Sequence, residues 1–337
     1  MIFDLRRLTA PGVAKTKKTE IMKNSMKILL VAVLASLGMA SCQKAPVEPV
    51  EPAVQSESVR IQISSPDAMA TKTIGDGTKA TEVYYTAFVD GRPVASLQNR
   101  VALVDGKAAL DLKLVRNVCY RFVFWAQAVP QDGEASPYDL SEFYTKSLVK
   151  ADYQGKANDD SRDAFCAMHE ILVQGPVDET VYLRRPFAQI NFCAADYDML
   201  KHLGLHDDLV SEAWVNGIPD VLNVLDGSVS ASGQALGDAH FSLSAIPSGD
   251  DEYITVAGNQ YGYVNMNYVF ASEIGETVSA KAGMVNGGCN WQTDLLPNVP
   301  VRRNYRTNIV GDLFSEHATL QIIVEPAFND PDEIVGL

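Results

Sequence analysis

Residues 118–126 read Val-Cys-Tyr-Arg-Phe-Val-Phe-Trp-Ala, a run of aromatic and β-branched residues that favours an extended strand. Successive side chains of a strand point to opposite faces. One face of this strand would carry Tyr120, Phe122 and Phe124. The opposite face would carry Cys119, Arg121, Val123 and Trp125. The run therefore predicts a strand whose aromatic side chains contribute to a core, and we expect Trp125 to be buried there.

Alternation of apolar and polar residues continues outward from this strand in both directions. Toward the N-terminus, Val59, Ile61 and Ile63 alternate with polar residues, and residues 82–89 predict the next strand. An Asp-Gly pair at 105–106 separates two alternating runs and is typical of a hairpin turn between residues 101–104 and 108–114. Toward the C-terminus we predict strands at 165–172, 180–184, 187–193, 209–215, 240–245, 253–256, 261–271, 277–284, 299–309 and 318–324.

Helical patterns are almost missing from the sequence. Residues 197–205 have the one helical pattern, and residues 130–163 are polar and predict long loops. Many short strands with so little helix predict an all-β protein made of β-sandwiches rather than an α/β enzyme scaffold. The chain of 337 residues is longer than one small sandwich needs, so two domains are expected, with a boundary near residues 182–186.

An export signal is predicted at the start of the chain. Lys23 and Lys27 precede an apolar run at residues 28–37, which is too short to span a bilayer permanently. Small residues follow, and then Cys42. This order resembles a bacterial lipoprotein signal, in which the cysteine becomes the acylated first residue of the mature protein.

The predicted organisation of the chain follows from this signal. Met22 and Met26 are alternative start sites, so the residues before them are left out of the fold prediction. The segment after Cys42 alternates Pro and Glu, a composition that favours an extended tether. The predicted parts are a signal peptide at 1–41, a tether at 42–57, an N-terminal β-sandwich at 58–184, a C-terminal β-sandwich at 185–328 and an acidic tail at 329–337.

Charge and motif content exclude several function classes. The formal net charge of −14 would repel nucleic acid, so no nucleic-acid partner is expected. The sequence contains no G-x-S-x-G, no P-loop, no dinucleotide-binding fingerprint and no H-E-x-x-H. We therefore predict neither an enzyme nor a cofactor-binding protein.

Two patterns imitate metal sites. His202 and His206 stand four residues apart on the helical segment, but no third histidine lies nearby in the sequence. Acidic and hydroxyl residues between Asp159 and Glu170 imitate a calcium loop, although Ala164 stands where that loop requires glycine. We predict no metal site from either pattern.

Four cysteines follow Cys42 at long, irregular spacings, and they are Cys119, Cys166, Cys193 and Cys289. An even number of cysteines in an exported protein permits disulfides. Buried free thiols are an equal alternative, because a body of this size needs no covalent staple. The sequence leaves both the pairing and the free-thiol alternative open.

Several stretches carry a family resemblance. Residues 185–192 read Arg-Pro-Phe-Ala-Gln-Ile-Asn-Phe, and residues 304–311 read Asn-Tyr-Arg-Thr-Asn-Ile-Val-Gly. The further stretches lie at 120–126, 163–166 and 324–328. In this order and spacing, they resemble the fimbrillin-like lipoproteins of Bacteroidales bacteria across nearly the whole mature chain.

The resemblance implies two transthyretin-like, Greek-key β-sandwiches in tandem and an exported lipoprotein precursor that reaches the outer membrane. In the polymerising members, a trypsin-like protease cuts after Arg or Lys behind the first strand. That strand leaves, and a strand from the next subunit fills the groove. Here the first strand would be residues 58–64, and Lys72 and Lys79 in the following loop would be the cut sites.

Two functions therefore remain from the sequence. The leading prediction is a fimbrial or adhesin subunit (stalk, tip or anchor) at the cell surface, whose partners are other fimbrial subunits bound by β-strand exchange. Residues 329–337 contain Pro331 and would be a poor donor strand, so residues 318–324 are the alternative donor. The runner-up is a monomeric surface lipoprotein that binds a glycan or host ligand through its loops, with Trp291 as the candidate ligand-binding residue.

Overall fold

Strands dominate the fold. The computed structural model describes residues 55–66, 75, 77–130, 134–315 and 319–326. Its strands, in chain order, are β1 (Ser56–Ser64), β2 (Glu82–Val89), β3 (Arg92–Pro93), β4 (Asn99–Ala102), β5 (Lys107–Val115), β6 (Cys119–Gln127), β7 (Tyr138–Asp139), β8 (Leu148–Ala151), β9 (Phe165–Leu172), β10 (Val177–Tyr182), β11 (Phe187–Ala194), β12 (Val210–Ile218), β13 (Val221–Asn223), β14 (Val229–Ser230), β15 (Gly237–Ala245), β16 (Tyr253–Val256), β17 (Asn259–Phe270), β18 (Glu276–Asn286), β19 (Cys289–Gln292), β20 (Leu296–Val301), β21 (Tyr305–Gly311) and β22 (Leu320–Pro326).

The helices of the described residues are short. They are α1 (Phe143–Lys146), α2 (Tyr197–His202) and single 3₁₀ turns at Ala95–Leu97, Asp160–Arg162 and Gly249–Asp251. None of the helices in these residues is long and apolar enough to cross a membrane. The prediction of an all-β fold with short helical insertions is confirmed.

The first sandwich consists of two sheets. Sheet A has the order β10–β1–β5, and sheet B has the order β3–β2–β6–β9, with β4 also paired to β2. Val59, Ile61 and Ile63 of β1 pack in one buried cluster with Phe122 and Phe124 of β6. These are the faces that the alternation in the sequence predicts for both strands.

The second sandwich repeats this construction with more strands in total. Sheet D has the order β16–β17–β11–β21–β22, and sheet E has the order β15–β12–β18–β19, with β20 also paired to β18. In both sandwiches the first strand is an interior strand with one parallel and one antiparallel neighbour. β1 lies between β10 and β5, and β11 lies between β21 and β17.

A further buried cluster joins the two sandwiches. Val123 and Trp125, on the outer face of β6, pack with Phe187 of β11 and Phe270 of β17. The Trp125 ring lies edge-on to both phenylalanine rings, with centroids 6.3 Å apart in each case. Sheet C covers this region and takes β7 and β8 from the first half of the chain and β13 and β14 from the second. We call this cluster the central core, and because of it β11 is buried on both faces.

Three local predictions are corrected by the structure. The predicted hairpin at 105–106 makes a tight turn with one bridge, Val104 to Lys107, but its strands then diverge into different sheets. Residues 130–163, predicted as loops, contain β7, α1 and β8, whose partners are too distant in sequence to leave a periodic signal. The single strand predicted at 299–309 is two strands in different sheets, because Asn304 turns the chain with a φ of 62°.

The predicted signal peptide, Cys42, Lys72 and the acidic tail lie outside the described residues. Among the described strands, sheets A and B end with Tyr182, and sheets D and E begin with Phe187. The domain boundary between residues 184 and 185 stays a prediction.

Candidate functional site

β1 holds the interior position of sheet A. It pairs in parallel with β10 from Val59 to Ser64 and antiparallel with β5 along its whole length. Within the described residues, sheet A has three strands, so β5 and β10 are its edge strands and each has β1 as its one neighbour in the sheet. Removal of β1 would therefore expose the backbone N–H and C=O groups of both neighbours, and such unpaired edges are templates for another strand.

The side chains of β1 alternate strictly between the core and solvent. Val59, Ile61 and Ile63 are 2%, 0% and 1% exposed. The outward residues make surface contacts instead: Arg60 lies 3.5 Å from Asp111, and Gln62 donates to Asp178 at 3.0 Å. Full burial of each aliphatic side chain stabilises the strand by about 1.5–3 kcal/mol. A replacement strand would have to offer the same apolar alternation, since a slip of one residue would present its polar face to the core.

The segment that follows β1 is held by a buried ion pair. Arg185, 1% exposed, donates through Nε and Nη2 to the two carboxylate oxygens of Asp163, at 2.8 Å each. The Nη2 atom also donates to the carbonyl oxygen of Gly75 at 2.7 Å. The guanidinium carbon lies 4.8 Å from the ring centroid of Phe165. A charged side chain is therefore buried where it fixes the backbone between β1 and β2.

Gly77 approaches the same pair closely. Its φ of 80° lies in the left-handed region, and a Cβ atom there would come within 2.9 Å of the Phe165 ring. Both observations require glycine at this position. The backbone next to Arg185 is thus fixed by the close contact of Gly77 with Phe165 as well as by the hydrogen bond from Arg185 to Gly75.

Lys79, one of the two predicted cut sites, lies at an exposed turn. Its neighbours are fixed: Gly77 and Ala80 are buried, and the Thr81 amide donates to the Gln127 carbonyl at 3.0 Å. The lysine side chain is accessible, whereas the backbone on either side is ordered by the fold. Sequence reasoning reached Lys79 from the family resemblance but did not identify the Arg185–Asp163 pair that holds the segment before it.

β22 occupies the outer edge of sheet D. It pairs antiparallel with β21, and Ile322 and Val324 are 38% and 40% exposed. The segment before it is attached to Asp196, whose carboxylate accepts from the Leu313 and Phe314 amides at 3.0 and 2.9 Å. β22 is therefore a lightly buried edge strand with a firm attachment at its N-terminal side.

The tryptophans differ in their surroundings. Trp125 is fully buried, as predicted. Trp291, the ligand-binding candidate, lies on β19 half-buried and packs edge-to-face on Phe314, with ring centroids 5.3 Å apart. Trp214 stacks on His240 at 4.8 Å, and the Lys281 ammonium lies 4.3 Å from its ring. Trp291 therefore contacts the segment that leads to β22.

The residues that imitate metal sites have other partners. His202 pairs with the Asp198 carbonyl at 2.6 Å, and His206 lies 3.2 Å from Asp207. Asp163 binds Arg185. In the part of the chain that the structure describes, no three His, Cys, Asp or Glu side chains gather in a metal-binding arrangement.

All four cysteines after Cys42 are free thiols, and they divide by exposure. Cys119 and Cys289 are exposed, Cys166 is half-buried, and Cys193 is fully buried. Burial raises the pKa of Cys166 to about 12 and also raises the pKa of Cys193. The thiolate is the nucleophile, so a buried thiol with a raised pKa reacts slowly at neutral pH.

Thiol labelling of the folded protein at pH 7 is expected to follow this order of exposure. Peptide mass spectrometry after maleimide treatment should find label on Cys119 and Cys289 first, slower label on the half-buried Cys166, and label on Cys193 only after addition of denaturant. Equal labelling of all four thiols in the folded protein would contradict the burial described here.

A sequence-family model matches residues 55–335, and the chain belongs to that family, DUF6562, a family of unknown function. A search of curated proteins finds no match.

Solved structures similar to the chain include fimbrial and cell adhesion proteins. One is a candidate cell adhesion protein from Bacteroides ovatus, with 8% identity and a TM-score of 0.45 over 81% of this chain and 98% of that chain. Another is the tip fimbrial protein Mfa3 from Porphyromonas gingivalis with a C-terminal truncation, with 10% identity and a TM-score of 0.42 over 80% and 99%. A third is a fimbrial assembly protein from Parabacteroides distasonis, with 13% identity and a TM-score of 0.42 over 81% and 100%.

Proposed function

We propose that this protein is a fimbrial or adhesin subunit, exported as a lipoprotein to the outer membrane and cell surface, that assembles by strand exchange. Proteolysis in the loop after β1 releases that strand, and a strand of another subunit takes its place. The observation that carries the proposal is the position of β1, interior in sheet A with Val59, Ile61 and Ile63 in the core.

The groove left by β1 would be recognised in two ways. The edges of β5 and β10 would supply backbone hydrogen bonds, which give strength without sequence preference. The pockets vacated by the three aliphatic side chains would select strands with apolar residues at alternate positions and so fix the register.

β22 of a neighbouring subunit fits this requirement. Leu320, Ile322 and Val324 stand at alternate positions, the spacing that Val59, Ile61 and Ile63 have in β1. Its place at the sheet edge and its exposed side chains mean that little burial is lost when it leaves sheet D. We therefore assign β22 as the donor strand and β1 as the strand it replaces.

Treatment of the lipidated precursor with a trypsin-like protease is expected to give assemblies that appear as ladders on gels. The N-terminus of the assembled protein should follow Lys72 or Lys79. The double variant Lys72→Gln, Lys79→Gln should stay monomeric, because the strand that blocks the groove remains attached.

A matched control is Lys146→Gln, which removes an exposed lysine outside this loop and should assemble like the parent protein. Assembled protein whose N-terminus still precedes Ser58 would contradict the proposal, and so would ladders formed by the double variant.

A further inference from the structure

Buried polar side chains cross sheet D on the face toward the central core. Together with a half-buried carboxylate at each end, they form one hydrogen-bonded series, here called the buried network, which consists of Asp160, Tyr268, Gln189, Asn191, Asn308 and Glu325. The series begins beside the segment that follows β1 and ends on β22. One end of the network therefore lies beside the segment that joins β1 to β2, and the other end lies on the proposed donor strand.

The first half of the buried network starts at Gly75. The Gly75 amide donates to Asp160 Oδ1 at 2.7 Å, and the Tyr268 hydroxyl donates to the same oxygen at 3.2 Å. Gln189 Nε2 donates in turn to the Tyr268 hydroxyl oxygen at 3.3 Å. The loop after β1 is thus connected through Asp160 to β17 and then to β11.

The second half continues from β11 to β22. Asn191 Nδ2 donates to Gln189 Oε1 at 3.3 Å and to Asn308 Oδ1 at 2.7 Å. Asn308 Nδ2 donates to Glu325 Oε2 at 2.9 Å. The other Glu325 oxygen accepts from the Ala257 amide at 2.9 Å, so the carboxylate holds β22 to its own sheet and to the β16–β17 turn.

Each member of the buried network has a fixed orientation. Tyr263 donates to Asn191 Oδ1 at 3.0 Å, which leaves the Asn191 amide nitrogen to donate to both of its neighbours. Burial raises the pKa of Tyr263 and of Tyr268 well above the usual range, so both hydroxyls stay protonated and keep donating. The series ends in a carboxylate on either side, and these are its strongest acceptors.

Burial makes the two ends of the network depend on each other. Gln189, Asn191 and Asn308 are 0% exposed, and Tyr268 is 1% exposed. Water does not reach these groups, so a lost partner leaves a polar atom unsatisfied or forces its neighbour to reorient. A change at Asp160 therefore alters the free energy of the arrangement that includes Glu325.

We propose that the buried network couples the departure of the segment after β1 to the release of β22. While Gly75 is bound to Asp160 and Arg185, the network is complete and Glu325 holds β22 in sheet D. When that segment leaves with β1, as it does after a cut behind Lys79, Asp160 loses the amide that orients its carboxylate. The carboxylate can then turn away from the Tyr268 hydroxyl, the hydrogen-bonded series across sheet D loses its first link, and β22 undocks more often. A subunit would then offer its donor strand only after its own groove has opened.

The biological meaning of this coupling rests on the proposed strand exchange, but the coupling itself is a property of one molecule. Its two-state element is β22, docked or undocked, and both ends of the network bias that equilibrium. The Asp196 attachment to the segment before β22 lies outside the network, so it would remain in place as a hinge.

The test is hydrogen–deuterium exchange of the uncut, monomeric precursor and its Tyr268→Phe variant. Phenylalanine keeps the ring and removes the hydroxyl that joins Asp160 to Gln189. We expect the amides of β22 to exchange about fivefold faster in the variant, the ratio that corresponds to one net hydrogen bond. The amides of β12 and β18 in sheet E serve as the internal reference and should not change.

Tyr153→Phe is the matched control. Its buried hydroxyl donates to the Pro219 carbonyl at 2.9 Å and accepts from the Phe270 amide at 2.9 Å, without joining the network. Unchanged exchange at β22 in Tyr268→Phe, or equal acceleration in both tyrosine variants, would overturn the proposal.

Coupling is reciprocal, which provides a second measurement. Glu325→Gln leaves one acceptor oxygen for the two donors, Ala257 and Asn308, and should accelerate exchange at the Gly75 amide. Unchanged exchange at Gly75 would overturn the proposal as well. Both measurements use the monomer. A failure of fibre assembly would therefore count against the proposed function but not against the coupling. Normal assembly with unchanged exchange would count against the coupling alone.

Discussion

Replacement of Arg185 by methionine is expected to lower the free energy of unfolding by about 3–5 kcal/mol, because the buried Asp163 carboxylate loses the opposite charge of the guanidinium. Asp163 is 0% exposed, and each of its carboxylate oxygens accepts a hydrogen bond from the Arg185 guanidinium. Methionine fills much of the volume but supplies no donor. The carbonyl of Gly75 loses its donor as well, so the segment after β1 is released from Arg185. Denaturant titration of the folded protein measures the change.

A surface ion pair provides the matched control for this prediction. Arg121 lies 2.9 Å from Glu170, and both side chains are about half exposed. Arg121→Met should therefore cost less than about 1 kcal/mol. The double variant Arg185→Met, Asp163→Leu should regain part of the stability, since it removes the stranded charge. If Arg185→Met cost no more than Arg121→Met, the pair would not hold this part of the fold.

Local alternation in the sequence was enough to predict most strands and their core faces. β1 and β6 are the clearest cases, because one face of each is continuously apolar and packs in the first sandwich. Strand partners were not predictable in the same way. The Asp105-Gly106 turn looks like a hairpin, yet β4 pairs with β2 and β5 pairs with β1. The choice of partner depends on contacts between distant segments, which a local pattern does not contain.

The candidate site was likewise predicted from the sequence only in part. β1 and Lys79 were identified from the sequence through the family resemblance. The buried network was missed, because Gln189 and Asn191 alternate with apolar residues in β11 and so resemble the solvent face of a half-buried strand. That face is covered by the central core, which forms only when the two sandwiches pack together. Burial of these amides is a consequence of tertiary packing that alternation alone does not reveal.

A peptide with the sequence of β1, Ser56–Ser64, is expected to bind the cut subunit from which β1 has been released and to block its assembly. The peptide restores both ladders of sheet A and returns Val59, Ile61 and Ile63 to the core. An Ile61→Ala peptide should bind about 30-fold more weakly or worse, because truncation of a buried isoleucine costs about 2–5 kcal/mol. A Gln62→Ala peptide should bind within about threefold of the parent peptide, since surface substitutions usually change stability by less than about 0.5 kcal/mol.

Fluorescence anisotropy of labelled peptide measures the affinities, and the uncut subunit, whose groove is occupied, should not bind. Equal affinity of the Ile61→Ala and Gln62→Ala peptides would show that the peptide does not occupy the groove left by β1. A β22 peptide, Leu320–Pro326, that displaced the labelled β1 peptide would show that the strand released from sheet D and the strand removed from sheet A compete for one groove.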